Sequence, residues 1–243
     1  MKHKITVFFL TLFVIIAFTS CKVEDKPVSS ILESDSLRNG SVCLYHIKDK
    51  SGKIIGMVTN YIYNETPNIV FVQDHTASEL EEILRIKMDP KSLQLNQTEI
   101  VKTEGADKEV AEKQTVLYST DRSRNTFYLT DYSGKKQKNT RIIVDSLVME
   151  QETMLYLLNS FPFGSLTSSA IEYINTRTQV KGTESVNVLA KESKSFNRRE
   201  YSSYKVKLSV LGATAWYMEQ KPHILIEANL TDFNIVLIDW NEL

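Results

Sequence analysis

Residues 41–73 read SVCLYHIKDKSGKIIGMVTNYIYNETPNIVFVQ. Three runs of β-branched, aromatic and aliphatic residues, 41–47, 53–63 and 69–73, are separated by Asp49-Lys50-Ser51-Gly52 and by Asn64-Glu65-Thr66-Pro67-Asn68. Both separators are rich in turn formers: glycine reaches positive φ without a Cβ clash, proline fixes φ, and Asn and Asp bond their own backbone. Short runs of strand formers with turn signals roughly every ten residues predict a meander of antiparallel strands.

Reading outward, 80–88 admits two assignments. Thr76 and Glu79 offer a capping box for a short helix. Against that, Leu84, Ile86 and Met88 alternate with Arg85 and Lys87, and the period of two selects a strand. Asp89-Pro90 ends it, because proline has no N–H to donate and disfavours helical geometry in the residue before it. Strands are expected at 93–101, 114–119, 125–131 and 139–144, with a lysine-rich hairpin turn at 133–138. A second basic stretch, 191–199, reads as another solvated turn. One segment, 145–160 (DSLVMEQETMLYLLNS), breaks the rhythm. Leu147, Gln151, Met154, Leu155 and Leu158 fall near helical spacing, Asp145 can cap the start, and Pro162 and Gly164 stop it. Strands return at 171–180, 184–189, 201–211, 215–218, 223–228 and 234–240, with no internal repeat. The expected fold is mainly β: one curved antiparallel sheet or incomplete β-barrel over 40–243, packed on one main α-helix at about 145–160.

The N-terminus is different in kind. Lys2 and Lys4 precede the uncharged run ITVFFLTLFVIIAF, which is short for a membrane span and reads as a signal-peptide core. Thr19 and Ser20 lead into Cys21, and a small pair directly before a cysteine resembles the bacterial lipobox, with Phe18 where Leu is usual. That resemblance implies cleavage after residue 20 and lipidation of Cys21, so 1–20 is a lipoprotein signal and the protein is tethered to a bilayer. An ordinary secretory signal or a single N-terminal anchor are the alternatives. Lys22 follows, rather than the Asp that marks inner-membrane retention, which favours the outer membrane on either face. The polar stretch 21–39 reads as a flexible linker. Residues 1–20 hold two of the 29 Lys plus Arg and none of the 30 Asp plus Glu, so the remainder carries a formal charge of −3. That balance gives no electrostatic reason to expect nucleic-acid binding.

Motifs for chemistry are absent from the sequence. His46, His75 and His223 have no metal-ligand spacing, and no metal or other cofactor is expected. Ser165, after Phe163-Gly164, lacks the second glycine of a nucleophile elbow. Cys43 lies in an apolar strand and behaves as a small hydrophobe. Glu81 and Glu82 point to opposite faces of a strand. The expectation is a protein that is not an enzyme, with an envelope-polymer hydrolase as the least favoured reading. Asp35-Ser36-Leu37 and Asp145-Ser146-Leu147 resemble the Asp-Ser-apolar sites of bacterial O-glycosylation.

Several short motifs, taken in order, resemble an uncharacterised family of exported bacterial proteins with a domain of unknown function. They are Met88-Asp89-Pro90-Lys91-Ser92-Leu93, then Asp145-Ser146-Leu147 followed by Met154-Leu155-Tyr156-Leu157-Leu158, and Val180-Lys181-Gly182-Thr183-Glu184-Ser185-Val186. Tyr204-Lys205-Val206, Trp216-Tyr217 and Lys221-Pro222-His223-Ile224-Leu225-Ile226-Glu227 complete the set. Such proteins are similar in architecture to lipoprotein carriers of the LolA and LolB type, an incomplete antiparallel barrel around helices with an apolar cavity for acyl chains. The resemblance implies a cell-envelope lipoprotein that binds an apolar ligand between helix and sheet. Met154, Leu155, Leu158, Phe161, Phe163 and Trp216 are the candidate cavity residues. Two alternatives stand beside it: these side chains simply fill the core, or the domain binds another envelope protein through a sheet edge.

Overall fold

The computed structural model describes residues 32, 40–77, 80–104 and 113–242; the signal 1–20, Cys21 and, apart from Leu32, the stretch 21–39 lie outside them. Alternation of inward apolar and outward polar side chains builds fifteen strands in the described residues. They are β1 (Ser41–Asp49), β2 (Ile54–Glu65), β3 (Asn68–Ala77), β4 (Leu80–Met88), β5 (Leu95–Glu104), β6 (Lys113–Ser123), β7 (Thr126–Asp131) and β8 (Lys138–Ile143). Then come β9 (Val148–Glu150), β10 (Ser168–Asn175), β11 (Val180–Phe196), β12 (Arg199–Leu208), β13 (Ala213–Met218), β14 (Leu225–Asn229) and β15 (Phe233–Glu242). The strand over 80–88 follows the period of two: Leu84, Ile86 and Met88 are buried, and Arg85 and Lys87 are half-exposed.

All fifteen strands belong to one sheet, in the order β8-β7-β6-β5-β4-β3-β2-β1-β15-β14-β13-β12-β11-β10-β9. The chain starts at the centre, meanders out to one edge, crosses to the other edge, and returns until β15 pairs antiparallel with β1. The crossing dictates the shape. From Ile143 to Val148 even an extended chain spans at most about 18 Å. Strands about 4.8 Å apart would hold the edges of a flat fifteen-stranded sheet about 67 Å from each other. The sheet must therefore roll up, which brings β9 against β5. The result is an open, barrel-like roll.

The roll encloses its own plug. A 3-10 turn (Gln151–Thr153), one α-helical turn α1 (Met154–Leu157) and a second 3-10 turn (Leu158–Ser160) cross the interior. Met154 to Leu158 are buried all round, as a helix must be when it has no solvent face. Around them the inner faces supply Tyr45, Val58, Ile86, Ile100, Leu129, Ile171, Val186, Val206 and Leu225, each no more than 1% exposed. Leu32 joins the same core.

Three expectations need correction. The helix expected at about 145–160 is confined to 151–160, because Val148–Glu150 pair in parallel with Glu172–Ile174 of β10 instead of coiling. The strand expected at 171–180 is broken by a turn at 176–179, where Gln179 takes a left-handed φ of 57°. The basic stretch 191–199 is not a loop. β11 continues to Phe196, and the hairpin turns on Asn197 and Arg198, whose φ values of 48° and 62° match the twist-compatible two-residue turn. Within β11, Gly182 lets the Tyr173 ring lie over the strand: a Cβ there would come within 2.4 Å of the ring and force it to shift.

Candidate functional site

On β3 the period of two sets Phe71, Gln73 and His75 on one face, turned toward the plug. Between this face and the plug lies a cavity of about 120 Å³. Ile47 of β1, Val58 of β2, Leu155 of α1 and Ile235 of β15 form its apolar walls, with Leu211, Leu230 and Phe233 from the adjoining turns and strand end. Gln73, His75, Gln151 and Glu152 form its polar end.

The polar end is tightly organised. The Gln73 amide nitrogen donates to Nε2 of His75, while Oε1 of Gln73, on a residue only 2% exposed, has no partner. Burial pushes the His75 imidazole below its ordinary value, against the opposing pull of Glu152 and Glu82, so the ring is neutral and its Nε2 free to accept. Arg177, from the turn after β10, joins two carboxylates: Nη2 lies 2.8 Å from Glu82 and Nε 3.0 Å from Glu152. Burial works against its charge, but the hydrogen bonds to Glu152 and Glu82 more than offset this and hold its pKa above the ordinary value. The guanidinium also sits 5.3 Å from the centre of the Tyr118 ring. Glu150, at the end of β9, is fully buried and accepts hydrogen bonds from the Thr176 amide (3.2 Å) and hydroxyl (2.5 Å) and the Thr98 hydroxyl (3.4 Å). Burial pushes its carboxyl up to about 8, Thr176 opposes the shift and Glu152 adds to it. At neutral pH it is a protonated acid.

Of the six candidate cavity residues, Leu155 alone lines this space. Met154, Leu158, Phe161 and Phe163 are buried in the packed core. Trp216 is on the wrong face altogether. Ala215 and Tyr217 point inward, so Trp216 points out, where its ring lies 3.9 Å from the Lys194 ammonium and its indole N–H donates to Glu192 at 2.9 Å. The sequence reading missed Gln73, Glu152 and Arg177. A signal existed for Gln73 and His75: after the apolar run 69–72 they alternate onto the face of Phe71, which is a core face. None existed for Arg177, which lies 95 residues from Glu82.

The remaining chemistry-bearing groups sit in structural roles. Burial pushes the Cys43 thiol up to about 11, which suppresses its reactive thiolate. His223 is buried, with Nδ1 donating to the Met218 carbonyl at 2.9 Å. Ser146 is exposed and donates to Glu172. Among the described residues no three His, Cys, Asp or Glu side chains gather as a metal site. A second concavity of about 550 Å³ opens at the rim near Asp89, Asn96, Arg122, Asn125 and Asp145. Its lining is mainly polar and open to water, with Asn125 donating to Asp145 at 3.2 Å.

No known protein family matches the chain, and no curated protein matches it. Among solved structures it is similar to a β-barrel-like protein of a domain of unknown function, DUF1849, from Brucella abortus, with a TM-score of 0.51. The likeness covers 85% of this chain and 99% of that one at 10% identity, so the shared property is the β-barrel-like fold.

Proposed function

We propose that this chain is a non-enzymatic lipoprotein of the bacterial cell envelope, anchored through Cys21 and favouring the outer membrane, whose β domain binds a small apolar ligand or the end of an acyl chain. The cavity between α1 and the sheet supports this reading, because a largely apolar recess beside buried side chains lets a small apolar group leave water. Its size limits the occupant. At about 120 Å³ it is slightly smaller than a space of about 150 Å³ that takes one benzene. It falls well below the roughly 300–1,000 Å³ of sites that enclose a drug-sized molecule. The guest is a small ring or the last few methylenes of a chain. A rolled antiparallel sheet around a helical plug is also the arrangement implied by the resemblance to LolA and LolB carriers, an argument from fold alone.

Organic extraction and mass spectrometry test this reading on the full chain purified from bacterial membranes. An apolar compound is expected from the wild type and none from Leu155→Trp or Val58→Phe, each of which fills the cavity. Wild-type protein that carries no such compound after loading with medium-chain lipids overturns the reading. Palmitate labelling that persists in Cys21→Ser removes the anchor. A second reading, binding of an envelope protein by strand addition, draws on β8, which pairs only with β7 among the described residues. Backbone amide protection along 138–143 on adding envelope extract is its readout.

A further inference from the structure

The polar end of the cavity discriminates between kinds of ligand. Oε1 of Gln73 is a buried acceptor without a partner, and a buried carbonyl left unpaired costs about 1–3 kcal/mol. Its amide nitrogen is already committed to His75. Glu152 is the one charged side chain of the lining, and it is a carboxylate. The nearest guanidinium, Arg177, is occupied on both sides by Glu82 and Glu152. The cavity thus presents one unpaired buried acceptor and one carboxylate, its other polar groups (Gln151, His75 and Tyr156) are neutral, and it offers no cation of its own.

We infer that the cavity is built for an uncharged molecule that carries a hydroxyl on a small apolar body, and that it rejects a carboxylate at the same position. The hydroxyl hydrogen satisfies Gln73 Oε1, and the apolar body rests against Val58, Leu155 and Ile235. Because a hydroxyl both donates and accepts, it is satisfied by either end of the amide. A carboxylate cannot donate to Gln73 Oε1, meets the like charge of Glu152, and must shed its hydration without a partner cation. This inference rests on the cavity reading above and narrows it: the end of a fatty alcohol or a phenol fits, and a free fatty-acid headgroup does not.

Three ring-sized probes decide it: fluorobenzene, 4-fluorophenol and 4-fluorobenzoate. Each is titrated by fluorine NMR at pH 7 into the full chain held in phosphatidylcholine nanodiscs, with empty nanodiscs as the reference. 4-Fluorophenol is expected to bind about three- to tenfold more tightly than fluorobenzene, the value of one net hydrogen bond. 4-Fluorobenzoate is expected to bind at least tenfold more weakly than the phenol. In Gln73→Met, which keeps the length and removes the polar atoms, the advantage of the phenol over fluorobenzene is expected to disappear, whatever happens to the affinity of both. Equal affinities of phenol and fluorobenzene in the wild type, or a benzoate that binds best, overturn the hydroxyl assignment and leave the cavity reading standing. No binding of any probe overturns both. The wild-type comparison decides the matter even if Gln73→Met does not fold.

Discussion

At the C-terminal end of the plug, Phe161, Phe163, Tyr204, Tyr217 and His223 pack with ring centroids 4.8–5.8 Å apart, and the Tyr217 hydroxyl donates to the Leu155 carbonyl at 2.7 Å. At the N-terminal end, Gln151 and Glu152 meet Gln73, His75, Glu82 and Arg177 across a cavity. Rings can interlock until no space remains. Carboxylates and a guanidinium cannot, because each must keep its partners at hydrogen-bond distance and collapse onto an apolar wall would strip them. The fold therefore fastens one end of its plug by packing and the other by charge. Among the described residues the larger space beside the plug, about 120 Å³ against about 20 Å³ near Asn159 and Ile224, lies at the charged end.

Removing a ring tests the packed end and gives the largest expected effect. Phe161→Ala, at a site with no exposure, is expected to lower stability by about 3–5 kcal/mol in denaturant melts. Leu155→Ala borders space already open and is expected to cost only about 2 kcal/mol. Equal losses would break the distinction between the ends.

Protonation tests the polar end. The folded state holds the Glu150 proton up to about pH 8, while in the unfolded chain it is lost near the ordinary value of 4.5. Between those values the folded state binds more protons, so stability falls as pH rises and levels off above pH 8. The groups facing Glu150 are the Thr98 and Thr176 hydroxyls and the Glu152 carboxylate. Glu150→Gln cannot ionise and keeps the neutral form's hydrogen bonds. From pH 5 to pH 8 the wild type is expected to lose roughly 2–4 kcal/mol more than this variant. Parallel slopes in paired melts would show that Glu150 does not hold its proton.

The contrast between the ends explains what could be read in advance. β4 announces itself because one face meets the core and the other meets water, so polarity alternates along it, and β1 does so by a run of strand formers that ends in turn residues. The greasy stretch Met154–Leu157 is legible as helix for the complementary reason: it is buried on every side. What escaped depends on distant partners. Val148–Glu150 becomes a strand because β10 offers a parallel edge, and nothing within those three residues encodes it. Trp216 was misplaced because the parity of β13 is set by its pairing with β12, and a shift of one residue reverses a face. The Glu82–Arg177–Glu152 bridge joins three separate segments that only the rolling of the sheet brings together.

Arg177 gives the next effect in size. Arg177→Met leaves Glu82 and Glu152 facing each other without their shared cation. A fully buried pair broken in this way costs about 3–5 kcal/mol. The Arg177 side chain is 35% exposed, so water screens part of the loss and about 1–3 kcal/mol is expected. The double variant Arg177→Met/Glu152→Gln is expected to recover some of it by removing one of the opposed charges. A double variant less stable than the single one would show that packing of the long side chain over Tyr118, rather than charge, is what Arg177 supplies.

The smallest effect separates the two ends most cleanly, because its sign differs between them. Val58→Ile extends a buried wall of the cavity by one methylene into open space. Each buried methylene contributes about 0.8 kcal/mol, so a gain of about 0.5–1 kcal/mol is expected. Ala215→Val enlarges a residue with no exposure, packed in the core on the Tyr217 face of β13, and is expected to cost about 1–3 kcal/mol. The same Val58 variant should weaken fluorobenzene binding, since protein and probe compete for one volume. A Val58→Ile protein that is destabilised would mean that the space is already closed by the wild-type walls, and the charged end would then be as tightly packed as the aromatic one.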